Sequence, residues 1–539
     1  MSPLIERKRL GAFYTPHNAA HALAHWALRH DGDRILEPSF GDGVFLSALR
    51  DVVRERRLKD VSISGVELDQ VAYSTAVARD LLPMESAFRS DFLAVKPFPV
   101  DGVVGNPPYV RLRALPKTQA KRALKSTEAL LGTQMDPSGS TWMPFVLHSL
   151  AFLRKGGRLA FVLPYDFTYV RYARVLWDVL SQSFGNLRIA RVHERVFPEI
   201  LQEVVLLFAD DYGSSTTTVD FQAYERVADF LHERPTIRCE LSISDLVEGR
   251  KVFVEALLPQ TVRDLVAERD KAEFSLQLSR RSTVRIGYVS GDKSFFHPVP
   301  ETVDRYSLQR THLLPALTST RTLRGLGIHT SAIDESDCDL LFLPSCADEM
   351  TDGERRYIES GKSSGVADGF KCRTRDPWFI VPDVKKPDLV LSVFSERPIL
   401  IDNDQGLVAS NSLLCLYLSD PTTRLEMASA WYTPWTLLSC ELEVHSLGGG
   451  VMVLVPREAG NIKLPSKMRF DGEHIAAIDS ALRGGSVESA YHVGDQALST
   501  AWGLTKAEVD SLWDGIAQLT HWRTSARSGA QSKDSTKDI

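Results

Sequence analysis

Through about residue 210 the chain alternates short apolar runs with segments of helical periodicity, and this rhythm restricts its fold more than any other feature. Arg34–Leu36, Val61–Val66, Val100–Val104 and Arg158–Leu163 read as buried strands, while Val44–Arg57, Gln70–Leu82 and Phe145–Leu153 place apolar residues at helical spacing. Such alternation predicts an α/β domain, a mostly parallel sheet with helices on both faces. Ligands of such sheets bind beyond the carboxyl ends of the strands, so the residues after each strand carry the functional information.

After the first strand comes Glu37-Pro38-Ser39-Phe40-Gly41-Asp42-Gly43, an acid followed by a Gly-x-Gly turn into a helix. Glycines let backbone approach a ligand, and the turn exposes amides at a helix N-terminus. The second strand ends in Gly65-Val66-Glu67-Leu68-Asp69, with Glu67 placed to accept hydrogen bonds from ribose hydroxyls. Next comes Ser90-Asp91-Phe92, in which Asp91 suits an adenine amine and Phe92 the face of its ring. Each feature alone is weak: the first has a plain strand–turn–helix as its ordinary alternative and the second a helix-capping acid. In order, each at the spacing of one βα unit, they point to an adenosine-containing cofactor without a pyrophosphate, since the dinucleotide fingerprint G-x-G-x-x-G is absent.

The fourth strand, Asp101–Gly105, runs into Asn106-Pro107-Pro108-Tyr109. An exocyclic aromatic amine is a poor nucleophile because its lone pair is delocalised into the ring. Two acceptors holding its two N–H bonds would pull the nitrogen toward tetrahedral geometry. The Asn106 side-chain oxygen and the Pro107 carbonyl fit that role, the prolines stiffen the turn, and Tyr109 can stack on the target base. A strong general base is unnecessary, because the alkylated amine becomes acidic.

With these residues in view the chain resembles the class I S-adenosylmethionine-dependent methyltransferases, and among them the gamma group of DNA adenine N6-methyltransferases from restriction–modification systems. In that group a motif touching the methionine end of the cofactor precedes the glycine motif. Gly11-Ala12-Phe13-Tyr14-Thr15-Pro16 matches it, which implies Tyr14 and Thr15 as cofactor contacts. The resemblance likewise implies Glu37, Pro38, Gly41 and Gly43 for the glycine motif, Glu67 for the ribose, Asp91 and Phe92 for the adenine pocket, and Asn106, Pro107 and Tyr109 for catalysis. Gly156–Pro164 resembles the next core strand, and Val196-Phe197-Pro198 a segment whose aromatic, here Phe197, stacks on the flipped base. A Rossmann-like catalytic domain followed by a mixed α+β target-recognition domain is the implied architecture.

The expected organisation is a catalytic domain over 1–270, a recognition domain over 271–522 and a disordered tail over 523–539. From about Ser275 the βα rhythm is lost, and the tail lacks aromatics. The polar, basic stretch Arg113–Gly139 reads as a loop beside the active site. Within the second domain, Gly361–Phe379, Asn411-Ser412 and Leu447–Gly450 resemble segments of family recognition domains. Lys371, Arg373 and Arg375 are its candidate DNA contacts, and Trp378 reads as a packing aromatic.

The formal net charge of −6 argues weakly against nucleic acid, so a DNA assignment rests on motifs. Six scattered cysteines, without a CxxC pair or zinc-finger spacing to histidine, imply no metal and a reducing cytoplasm. No run of about 18 or more uncharged apolar residues suggests a membrane span. The implied partners are double-stranded DNA, bound by a monomer, and a separate restriction endonuclease, since no segment carries a nuclease motif. The Asn-Pro-Pro-Tyr motif also serves enzymes that methylate a protein glutamine or an RNA guanine, and a non-catalytic DNA-binding subunit on the same scaffold is the third reading. Cytosine N4 methylation usually places Ser where Asn106 stands.

Overall fold

The computed structural model describes residues 15–524 except 133, 196–202, 273, 334–337, 345–349, 447–449, 467 and 469. Tyr14, Phe197 and Leu447–Gly449 therefore lie outside the described residues. The chain divides into two compact units, with the break between Leu257 and Leu258.

The first unit is built on a nine-stranded sheet of β1 (Arg34–Glu37), β2 (Ser62–Glu67), β3 (Ala87–Arg89), β4 (Val100–Gly105), β5 (Leu153–Pro164), β6 (Phe184–Val192), β7 (Val204–Tyr212), β8 (Thr218–Tyr224) and β9 (Ile237–Ser242), ordered β3-β2-β1-β4-β5-β7-β6-β8-β9. β3, β2, β1, β4 and β5 are mutually parallel, and β7 runs antiparallel between β5 and β6. The chain builds outward from β1 to β3, then returns to lay β4 on the other side of β1. The carboxyl ends of β1 and β4 thus meet where the winding reverses, with Leu36 opposite Val103.

The apolar pattern explains the layers. α1 (His17–Ala27) buries Ala19, Ala20, Leu23, Ala24 and Ala27, and α2 (Val44–Arg56) buries Phe45, Leu46, Ala48, Leu49 and Val52. Both stripes keep helical spacing and, Leu46 apart, share one core with Ile35, Val104 and Val162 of the sheet. α3 (Gln70–Ala78) starts where the Asp69 carboxylate accepts from the Ala72 amide at 2.8 Å. The helix-capping acid of this turn is therefore Asp69, which leaves Glu67 for another role.

Arg113–Gly139 differs from the expected loop. Most of it forms α4 (Lys117–Leu131), which follows Pro116 and ends at Gly132 in the left-handed conformation. Its Lys, Ala, Leu and Gln content favours helix, and Ala123 and Thr127 supply a buried face. Polarity here marks a helix with one solvated side. α5 (Trp142–Leu150), buried on nearly all sides, completes the crossover to β5.

The second unit holds a four-stranded antiparallel sheet in the order Ser282–Ile286, Leu413–Leu418, Leu389–Ser392 and Leu400–Asp402, three smaller sheets, and helices throughout. It ends in Gly472–Arg483, Val487–Trp502 and Lys506–Arg523. The helix Gln260–Lys271 belongs to this unit because it packs on the terminal helix: a Cβ added at Gly515 would stand 3.1 Å from Val262. The break accordingly falls ahead of residue 270. No helix of the described residues is long and apolar enough to cross a membrane.

Candidate active site

The site of the first unit is assembled at the carboxyl ends of β1, β2, β3 and β4. Glu37 closes β1, is 1% exposed, and one of its oxygens, Oε2, has no hydrogen-bond partner among the described residues. Burial, with Asp42 and Glu67 adding repulsion, drives its carboxyl pKa well above the ordinary glutamate range. The turn beyond it needs its glycines: Gly41 and Gly43 have φ of 52° and 81°, and a Cβ on Gly43 would meet Leu81 at 2.5 Å.

Glu67 ties this turn to β2. Its Oε2 accepts from the Gly41 amide at 2.8 Å and its Oε1 from the Asp69 amide at 2.7 Å. Burial still raises its pKa above the ordinary value, against the pull of those amides. The Ser90 amide donates to the Glu67 carbonyl at 3.0 Å, which brings the end of β3 alongside. Asp91 follows. One oxygen caps the Leu93 amide at 3.1 Å, and the other pairs with Arg122 of α4 at 2.5 Å. Phe92 is 2% exposed and stacks within an aromatic cluster, 4.9 Å from His148 and 5.1 Å from Phe145 between ring centres. Its side chain packs the interior behind Asp91, which differs from the expected role as an open ring-covering surface.

β4 delivers the fourth turn into the same place. A Cβ on Gly105 would lie 3.3 Å from Pro38 and 3.6 Å from Glu37, so the two strand ends pack closely at this glycine. Ser39 Oγ donates to the Asn106 carbonyl at 3.3 Å. Asn106 Nδ2 donates to Thr15 Oγ1 at 3.2 Å, with the amide nitrogen facing Thr15. Thr15 is itself 5% exposed, just ahead of α1. Tyr109 donates its hydroxyl to the Val162 carbonyl at 3.0 Å. Burial, then the nearby Asp166, keep that phenol protonated well beyond its ordinary range, while the ring is only half-buried.

Two features of this geometry suit acceptor chemistry on a neutral amine. The Asn106 carbamoyl is hydrogen-bonded to a hydroxyl, and the turn is braced from behind. Thr141 Oγ1 donates to the Pro108 carbonyl and accepts from the Val110 amide at 3.1 Å, and the Thr141 amide donates to the Val110 carbonyl at 2.9 Å. A rigid turn presents its oxygens without reorganisation.

Two family models match the chain. Residues 4–171 match the family described as N-6 DNA Methylase, and residues 250–499 match the C-terminal domain of the type II methyltransferase M.Eco57I. The first unit is similar to the N-6 DNA methylase family. Over 438 residues the chain is 23% identical to the type II methyltransferase M.AccI of Acinetobacter calcoaceticus, covering 77% of its own length and 76% of that relative. It is 30% identical to M.TthHB8I of Thermus thermophilus over 217 residues, covering 39% of itself and 47% of that relative. Among solved structures it resembles the type IIL restriction–modification enzyme MmeI in complex with DNA, with a TM-score of 0.50, 12% identity, and coverage of 96% and 76% of the two chains.

Sequence reasoning missed Ser39, Thr141 and Arg122, whose partners are distant in the chain. The nearest signals were a hydroxyl inside the first turn and a basic run after the fourth. It also missed Asp166, just past β5, whose Oδ1 is buried without a hydrogen-bond partner among the described residues.

In the second unit of the chain, Lys371 and Arg373 are exposed and come together around Phe370, with their charges 5.8 and 5.5 Å from its ring centre. Phe370 is 65% exposed. Arg375 does not join them. Its guanidinium donates to the Ser290 carbonyl at 2.8 Å and to that of Val289, so it braces the unit's interior. Trp378 packs against Phe295 at 5.2 Å, as expected of a packing aromatic. Asn411 and Ser412 are exposed, and the Asn411 amide donates to the Tyr288 carbonyl at 2.9 Å.

Proposed function

We propose that this chain is a site-specific DNA methyltransferase that transfers a methyl group from S-adenosylmethionine to N6 of an adenine flipped out of double-stranded DNA, as the modification enzyme of a restriction–modification system. The observation that carries the reading is the meeting of Thr15 and Ser39 with Asn106 beside the carboxylates of Glu37 and Glu67, at the winding reversal of the sheet.

The residues fit the cofactor. Glu37 offers a buried acceptor oxygen without a partner among the described residues, suited to a cationic or N–H donor. Each Glu67 oxygen carries one backbone amide and keeps a further lone pair for a ribose hydroxyl. Asp91 offers the same to an adenine amine, and Gly41 and Gly43 let a ligand approach the turn. When bound, S-adenosylmethionine supplies a methyl group on positively charged sulfur.

At the other side of the site, Asn106 Oδ1 and the Pro107 carbonyl accept the two N–H bonds of the adenine amine. They localise its lone pair and turn it toward the methyl donor. The Thr15 hydroxyl engages the Asn106 nitrogen, and the Asn106 oxygen is the acceptor proposed to meet the base. Tyr109, neutral and tethered through its hydroxyl, offers its ring for stacking, and Phe197 is proposed for the opposite face. Extrusion is required because the amine is inaccessible inside the duplex.

The chain order, with GAFYTP ahead of the glycine turn, supports the gamma arrangement. The match of residues 250–499 supports a recognition role for the second unit, with Lys371 and Arg373 at DNA. Cleavage in such a system falls to a separate endonuclease sharing the target.

Incubation of the purified chain with labelled S-adenosylmethionine and unmodified genomic DNA tests the reading. Label should appear as N6-methyladenine. Asn106→Ala should lower transfer by about 10²–10³-fold, the scale of a lost transition-state hydrogen bond, with cofactor affinity retained. Label absent from DNA, or recovered in protein or RNA, overturns the assignment.

A further inference from the structure

The chain is acidic overall, yet Arg111–Lys125 holds Arg111, Arg113, Lys117, Lys121, Arg122 and Lys125 without an acidic residue. The structure turns part of this run into a surface. On α4, Lys117, Lys121 and Lys125 recur every four residues and are all exposed, whereas Ala123 and Thr127 face inward. Among the described residues none of the three lysines has an ion-pair partner, while Arg122 is drawn aside to Asp91.

For stability alone this pattern is unfavourable. Like charges at i,i+4 repel, where a solvated helix would ordinarily pair Lys with Glu. The first turn holds no acid, although the helix dipole favours negative charge there. Three lysines spread over about 12 Å of helix axis, against one phosphate per about 3.4 Å of rise on a DNA strand, match a polyanion. The position matches as well. α4 begins a few residues beyond Tyr109, the Leu112 amide donates to the Gly139 carbonyl at 2.9 Å, and Arg122 anchors the helix to the carboxylate of Asp91. These contacts tie the ladder's helix to the end of β3 and to the segment leading from the catalytic turn.

We propose that Lys117, Lys121 and Lys125 form a phosphate-binding ladder by which the catalytic unit itself grips the DNA backbone. This rests on the DNA reading above. The ladder reads no sequence. It supplies an electrostatic hold near the extruded base, apart from whatever the second unit recognises.

The test is the salt dependence of binding of a short unmodified duplex by the full chain, measured by fluorescence anisotropy. Each phosphate contact contributes about 0.9 to the slope of log K against log salt. Replacing all three lysines by Gln, which preserves helix propensity, should reduce that slope by about 2 to 3 and weaken binding most at low salt. The triple Lys→Arg variant should keep the slope. Circular dichroism and cofactor binding report whether the Gln variant is folded. A Gln variant with the parent slope overturns the ladder, and so does an Arg variant as impaired as the Gln one. If the parent methylates DNA in either of those cases, the function stands and only the ladder falls. A parent chain that neither binds duplex nor methylates it removes both.

Discussion

The two units treat buried glutamates in opposite ways. In the second unit, Glu354 is fully buried and accepts from the Gln309 amide at 3.1 Å, Gln309 Nε2 at 3.1 Å, His312 Nδ1 at 2.9 Å and the Thr351 amide at 2.8 Å. Burial alone would raise its pKa, but the hydrogen bonds from Thr351, Gln309 and His312 prevail and lower it. Glu441 is 3% exposed and accepts a two-pronged bond from Arg523 at 2.8 and 2.9 Å, together with one from Thr520 at 2.7 Å. In the first unit Glu37 is as deeply buried, yet one oxygen is without a hydrogen-bond partner among the described residues, and its pKa rises. A matched buried carboxylate holds a fold together. An unmatched one costs stability and marks a place kept ready for an outside donor.

Breaking the matched side should produce the largest effect on the fold. Glu441→Ala leaves the Arg523 guanidinium buried without its carboxylate and should cost about 3–5 kcal/mol. Hydrogen exchange resolved to each unit should show the loss confined to the second. An unchanged exchange pattern there would mean that the pair is not structural.

The pH dependence sharpens the comparison, because the two glutamates have opposite signs. The raised pKa of Glu37 means that the folded chain holds a proton the unfolded chain gives up. Its contribution to stability is complete below the unfolded glutamate value and fades as pH rises through the raised one. Glu354, with a lowered pKa, contributes fully above the unfolded value and fades as pH falls through the lowered one. Glu37→Gln should therefore flatten the decline of first-unit stability with rising pH and impair cofactor binding. Glu354→Gln should flatten the acid-side decline of the second unit. Denaturation midpoints against pH, read separately for each unit, check both, and a common sign would break the contrast.

The smallest effect concerns orientation. Thr15→Val removes one hydroxyl acceptor from Asn106 and keeps its shape. At about 1 kcal/mol for such a bond, turnover should fall several-fold with cofactor affinity little changed. A loss of cofactor affinity instead would assign Thr15 to the cofactor alone.

Much of this was legible in advance because strand periodicity and turn chemistry are local. β1, β2 and β4 lie within a residue or so of the runs that announced them, and each turn singled out follows its strand. Charge was the poorer guide. The run Arg113–Gly139 looked like a loop, since polarity does not distinguish a solvated helix face from irregular chain. Lys371, Arg373 and Arg375 looked alike in the sequence, but only the first two are exposed, while Arg375 is half-buried and donates to two backbone carbonyls. Phe92 looked available to a ligand and is enclosed by His148, Phe145 and Phe152.

The amino-acid order by itself determined which chemical groups stand at which strand ends, because alternating apolar runs dictate a wound parallel sheet and glycine and proline dictate its turns. Tertiary structure decided which of those groups remain open to a ligand. That depends on desolvation and on partners far along the chain, as when Thr15 meets the Asn106 amide or Arg122 reaches Asp91.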